Sequence, residues 1–141
     1  MKKALLISAI CLLACSFLMK AQEGPKSPEQ MEKEFYEAIE KEVERLTDQL
    51  NLEDWQVFYV DSILTHDYKA MQDEFTRMSA AKMSNADLFY DVQDSWMEQI
   101  YQSLHKVFNE EQWAKYEKYG AARNKKARDK RAEKKNKKAK K

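Results

Sequence analysis

His66 and His105 are the only histidines of this 141-residue chain, and each stands beside one charged neighbour, in "HD" and "HK". A helical zinc or copper site needs two ligands on one face, at positions i and i+4, and neither histidine has such a companion. A metal would have to use carboxylates such as Asp67, Asp91 and Asp94, whose simpler reading is a solvated helix face. Met71, Met78, Met83 and Met97 are thioethers suited to copper(I), but three of them lie on or beside apolar stripes and read first as adaptable packing. No Gly-rich phosphate loop, nucleophile elbow or Ser/His/Asp arrangement can be drawn from the order of residues. The expectation is a protein without catalysis, metal or cofactor.

Charge and exposed aromatic surface remain as candidates for function. Net charge is +1, yet residues 121–141 carry +10 and the first 20 residues +3, which leaves −12 on the body between them. The tail residues Arg123, Lys125, Lys126, Arg128, Lys130, Arg131, Lys134 and Lys135 form a candidate anionic-surface site. The tail lacks apolar periodicity, so a solvated helix or a disordered segment is expected. Its possible partners are anionic lipid, lipopolysaccharide phosphates or the acidic body itself; nucleic acid is not expected, given the N-terminus.

That N-terminus, "MKKALLISAICLLACSFLMKAQ", places two lysines before an apolar run and ends in small and polar residues. It reads as a secretory signal peptide over residues 1–21, cleaved between Ala21 and Gln22. The alternative is a lipoprotein anchored at Cys15, because "LLAC" resembles a lipid-attachment signal. Both cysteines lie in this segment, so a mature chain from Gln22 has no thiol for a disulfide or a metal. A periplasmic or secreted location follows.

The elements that must position these groups are helices. Only two glycines and two prolines occur, and neither type appears between Pro28 and Gly120. A sheet protein would need turn residues at regular intervals. The expectation is all-α: a linker over 22–27, a helical domain over 28–120 and a basic solvated tail over 121–141. Ser27, Pro28 and Gln30 open the first helix as a capping box. Met31, Phe35, Ile39, Val43, Leu46 and Leu50 then form one apolar stripe. A second helix, from about Glu53 to Lys82, carries Val57, Val60, Leu64, Tyr68, Met71, Phe75 and Met78. A third begins at "SNAD", with Ser84 as cap, and carries Phe89, Val92, Trp96, Ile100, Leu104 and Val107. The fourth starts at Asn109.

Two helix entrances use the same phrase, "LEDWQV" at 52–57 and "FNEEQW" at 108–113. In the second, Asn109 can cap while Gln112 reaches back to the Asn109 N–H, and Phe108 and Trp113 can form a hydrophobic staple. In the first, Leu52 and Val57 take the staple positions and Gln56 the reciprocal-cap position. Glu53 stands where the cap should be, and Asn51 just before it is the alternative. Beyond its main stripe the second helix carries Trp55, Tyr59, Ile63 and His66 at helical spacing. Such a band marks an interface or a helix enclosed on two sides.

Two copies of Leu-Thr-x-x-Gln, each opening a helix in a small secreted all-α protein, are the signature of the Spy/CpxP-like periplasmic family. This chain resembles it over about residues 28–119, through Leu52-Glu53-Asp54-Trp55-Gln56 and Phe108-Asn109-Glu110-Glu111-Gln112. Both threonines are replaced, by Glu53 and Asn109, and the second leucine is Phe108. The resemblance implies four helices in an extended antiparallel hairpin arrangement and a homodimer. It also implies an ATP-independent chaperone or envelope-stress adaptor that binds unfolded or partner envelope proteins. The client surface of the family's chaperones is basic, so here positive charge would have to come from the tail. The alternative is a structural or adaptor envelope protein whose tail binds anionic lipid or lipopolysaccharide.

Overall fold

The computed structural model describes residues 26–139, which are helical with no strand. The signal segment, its cleavage site and Cys15 lie outside the described residues. Helix α1 spans Pro28–Leu50, α2 Asp54–Ala80, α3 Ala86–Val107 and α4 Glu110–Tyr116; a π-helical turn at Glu117–Ala121 leads into α5, Ala122–Ala139. None of the described helices is long and apolar enough to cross a membrane.

The chain divides into two units, residues 1–35 and 36–141. In the first, the described residues begin a helix with both arms of a capping box. Gln30 N–H donates to Ser27 Oγ at 3.2 Å, and Ser27 N–H to Gln30 Oε1 at 3.0 Å. The Lys26 ammonium pairs with Glu34 at 2.7 Å.

The second unit holds the core. Ile39, Val43, Leu46 and Leu50 recur at steps of four, three and four along α1, so their side chains share one face, and all four are buried. They join Val60, Leu64 and Met78 of α2, Ile100 and Leu104 of α3, and Phe108. Leu46, Leu50, Leu64, Leu104 and Val60 are the largest fully buried side chains. Each contributes about 1.5–3 kcal/mol relative to exposure. Along the α2–α3 pair, Phe75 stacks on Phe89 at 5.8 Å, and the Trp96 indole N–H donates to Glu74 at 2.8 Å.

Asn51 does not cap α2. It sits at φ 51°, in the left-handed region that asparagine tolerates better than most residues, and ends α1, with Leu52 N–H donating back to Thr47 O at 3.2 Å. Glu53 is the N-cap of α2. The cap of α3 is Asn85 and not Ser84, its Oδ1 accepting from Asp87 N–H at 2.9 Å. Lys82, just after α2, also has positive φ, at 53°, and Gly120 stands at φ 126° within the π turn. An added Cβ there would meet nothing within 4 Å, so glycine is required by backbone conformation and not by crowding.

Candidate functional site

The two corners meet. Gln56 and Gln112, 56 positions apart, are both buried and face each other amide to amide. Gln56 Nε2 donates to Gln112 Oε1 at 2.7 Å, and Gln112 Nε2 donates to Gln56 Oε1 at 2.9 Å. Each Oε1 also accepts the N–H of its own helix cap at 3.0 Å, from Glu53 in one corner and Asn109 in the other. Each Nε2 uses its remaining hydrogen on a carbonyl of the opposite corner: Gln56 on Val107 O at 2.9 Å, Gln112 on Asn51 O at 3.5 Å.

Val107 lies five residues before Gln112, and Asn51 five before Gln56. The arrangement is thus two-fold in its local chemistry. Two side-chain amides offer four hydrogens and four lone pairs in total, and every one is engaged. Among buried polar groups this is the favourable case, because an unmade bond there costs about 1–3 kcal/mol. The phrase is written twice because the lock needs two equivalent halves. Asn109 Oδ1 accepts Gln112 N–H at 2.9 Å, and Phe108 and Trp113 lie 6.5 Å apart between ring centres, completing the second corner. Leu52 is half-buried.

Beside the first corner, α2 turns aromatic rings outward. Trp55 is 51% exposed, Phe58 68% and Tyr59 52%. Tyr59 meets Trp55 edge-on at 6.1 Å and Phe58 at 5.7 Å, and the Trp55 indole N–H is held by Glu53 at 2.7 Å. Ile63 is half-buried, and the exposed His66 contacts Asp67 at 2.8 Å through Nδ1. The ring that sequence reasoning missed is Phe58. It lies three residues after Trp55, within one turn of the same helix, which is the signal that could have found it.

The carboxylates read as a solvated face are engaged instead. Asp67 is buried and accepts from Gln99 Nε2 at 3.1 Å. Asp91 and Asp94 belong to a ladder with the basic segment, a helix exposed at every position but Lys125 and Arg128, whose cations reach α3. Arg128 Nη2 donates to Glu98 at 3.1 Å, Lys125 stands 3.6 Å from the same carboxylate, Arg131 binds Asp94 through two bonds of 2.6 Å, and Lys135 pairs with Asp91. Arg128 is 7% exposed, with its guanidinium 5.5 Å from the centre of the Tyr101 ring. Its Nε has no hydrogen-bond partner among the described residues.

The ladder moves titrations. Burial pushes the Glu98 carboxyl up, but the hydrogen bonds from Gln102 and Arg128 and the charges of Lys125 and Arg128 hold it below its ordinary value. Burial and the 2.8 Å hydrogen bond to Glu117 push the Tyr101 phenol up to about 12. The hydrogen bond to Asp94 raises Arg131 further above its already high value. Among the described residues no three of His, Cys, Asp and Glu converge as metal ligands would. The eight tail cations divide evenly: Lys125, Arg128, Arg131 and Lys135 face acids of α3, whereas Arg123, Lys126, Lys130 and Lys134 are exposed and have no ion-pair partner among the described residues.

No family model, curated protein or solved structure matches this chain.

Proposed function

We propose that this chain is a non-catalytic, Spy/CpxP-like binding protein of the periplasm that holds unfolded or partner proteins on the aromatic band of α2. In this reading its helices form antiparallel hairpins and two copies pair as a homodimer. The observation that supports it most is the outward cluster of Trp55, Phe58 and Tyr59, each more than half exposed and in edge-on contact with its neighbour. Aromatic rings lose little side-chain entropy on binding and dominate the energetics of protein interfaces. The locked corners supply the second support, because they hold the start of α2 rigid and so preorganise the surface beside it.

The test is suppression of aggregation of a model unfolded protein at near-stoichiometric ratios, with and without ATP. The expected outcome is suppression independent of ATP, lost on replacing Trp55, Phe58 and Tyr59 together by serine, with the melting temperature changed little because these rings are exposed. A parent protein that suppresses nothing would overturn the proposal.

A further inference from the structure

The even division of the tail cations gives α5 two chemically different sides. At 100° per residue, Arg123, Lys126, Lys130 and Lys134 fall within about 80° of one another, along roughly 17 Å of helix. Lys125, Arg128, Arg131 and Lys135 fall on another arc, the one turned to Asp91, Asp94 and Glu98. Asp91, Asp94 and Glu98 of α3, with Asp129 of α5 itself beside Lys125 at 2.5 Å, offset the second set, and the α3 pairs fix the rotation of α5 about its own axis. That rotation carries Arg123, Lys126 and Lys130 outward, while Lys134 stands at the rim of a groove it shares with Asp87, Asp91 and Asp94, and Glu133, paired with Lys137, borders the stripe.

We infer that the outward stripe of α5, Arg123, Lys126, Lys130 and Lys134, is a docking surface for a membrane rich in anionic phospholipid. The stripe keeps to one side of a helix, which suits a flat sheet of headgroups. The sequence of α5 carries no aromatic ring and no apolar stripe, so it has nothing to stack on bases and nothing to insert between acyl chains. Attraction is therefore electrostatic and lies at the surface, and it grows with the number of cations that reach it. It is separate from the α2 aromatic band, and neither reading depends on the other.

The test is co-sedimentation of the mature chain from Gln22 with vesicles of phosphatidylcholine and phosphatidylglycerol in roughly equal parts, and with phosphatidylcholine alone, at low and high salt. The parent is expected to bind only the anionic vesicles and to be released by salt. The variant Lys126→Gln/Lys130→Gln/Lys134→Gln should bind about a hundredfold more weakly, about fivefold for each cation, with its melting curve unchanged. The comparison variant Arg131→Gln/Lys135→Gln should lower melting at low salt and weaken vesicle binding far less. Equal losses from the two variants would show that total charge, and not the stripe, governs binding, and would overturn the inference. So would parent binding that survives high salt or needs no phosphatidylglycerol. Tighter binding to a single-stranded oligonucleotide than to the anionic vesicles at the same salt would overturn it too.

Discussion

The Gln56–Gln112 lock and the α3–α5 ladder each tie together segments far apart in sequence, and they rely on opposite physics. The lock is buried, neutral and directional, so its strength comes from geometry in a medium of low dielectric, where an unmade bond is costly. Most of the ladder is partly solvated and charged, so water and salt screen it, and an exposed pair contributes about 0–1 kcal/mol. Neutral amides do not titrate, whereas Glu98 of the ladder does, below its ordinary value. The same helix, α3, takes part in both. Its end at Val107 is held by an interaction indifferent to salt and pH, and its middle by one sensitive to both.

The largest effect separating the two regions should come from Gln112→Ala. It removes the partner of Gln56 and the acceptor of the Asn109 N–H at once, and should cost about 3 kcal/mol at any salt concentration. Chemical denaturation at low and high salt checks this. A double-mutant cycle with Gln56→Ala should show that the second loss is much smaller than the first, because the amides act as one unit. Additive losses would mean that the two corners are independent.

Asn109→Ala should cost about 0.5–2 kcal/mol, since one cap bond is lost while the Gln112 amide stays in place. Asn124→Ala, an exposed change in α5, should cost almost nothing, and thermal melting compares the two. Equal shifts would erase the distinction between corner and tail.

The ladder should respond more weakly and conditionally. Arg131→Gln should lower stability by at most about 1 kcal/mol at low salt and by nothing measurable at high salt. Acid should act in the same place. The Glu98 carboxyl is held below its ordinary value in the folded chain, so its contribution is complete above the ordinary value of an unfolded carboxylate. That contribution is lost as pH falls through the lowered folded value. Fluorescence of Trp96 and Trp113 together with helix content, followed during acid titration, should show Glu98→Gln flattening the acid limb of the curve.

Much of the fold was legible in the sequence, because it rests on short-range rules. The caps at Ser27 and Asn109 depend on residues three positions apart, and the stripes of α1 to α3 on steps of three and four, although Met31, at the start of the α1 stripe, is exposed. Asn85 displaced Ser84 because both are good caps and only the path of the chain selects between neighbours. The mutual pairing of the two glutamines was not legible, because each already had a sufficient local role as a reciprocal cap. The equal offset of five to Val107 and to Asn51 acquires meaning only once the corners touch. The docking of α5 on the acidic body was one of the alternatives the charges left open, and charge alone does not select among them. A segment without apolar periodicity reads as solvated, and the match of Arg128, Arg131 and Lys135 to Glu98, Asp94 and Asp91 involves positions 30 to 44 residues apart.

Gly120 interrupts the regular helical backbone ahead of α5, and this gives the two ends of α3 different lifetimes. A helix continuing unbroken from α4 could leave α3 only by taking α4 and the Gln112 corner with it. With the interruption at φ 126°, α5 can detach and return as a separate opening unit while the rest of the chain stays folded. Amide protons of α5 should then exchange with solvent through frequent local openings, whereas that of Gln112, hydrogen-bonded to Asn109 at the locked corner, should wait for global unfolding.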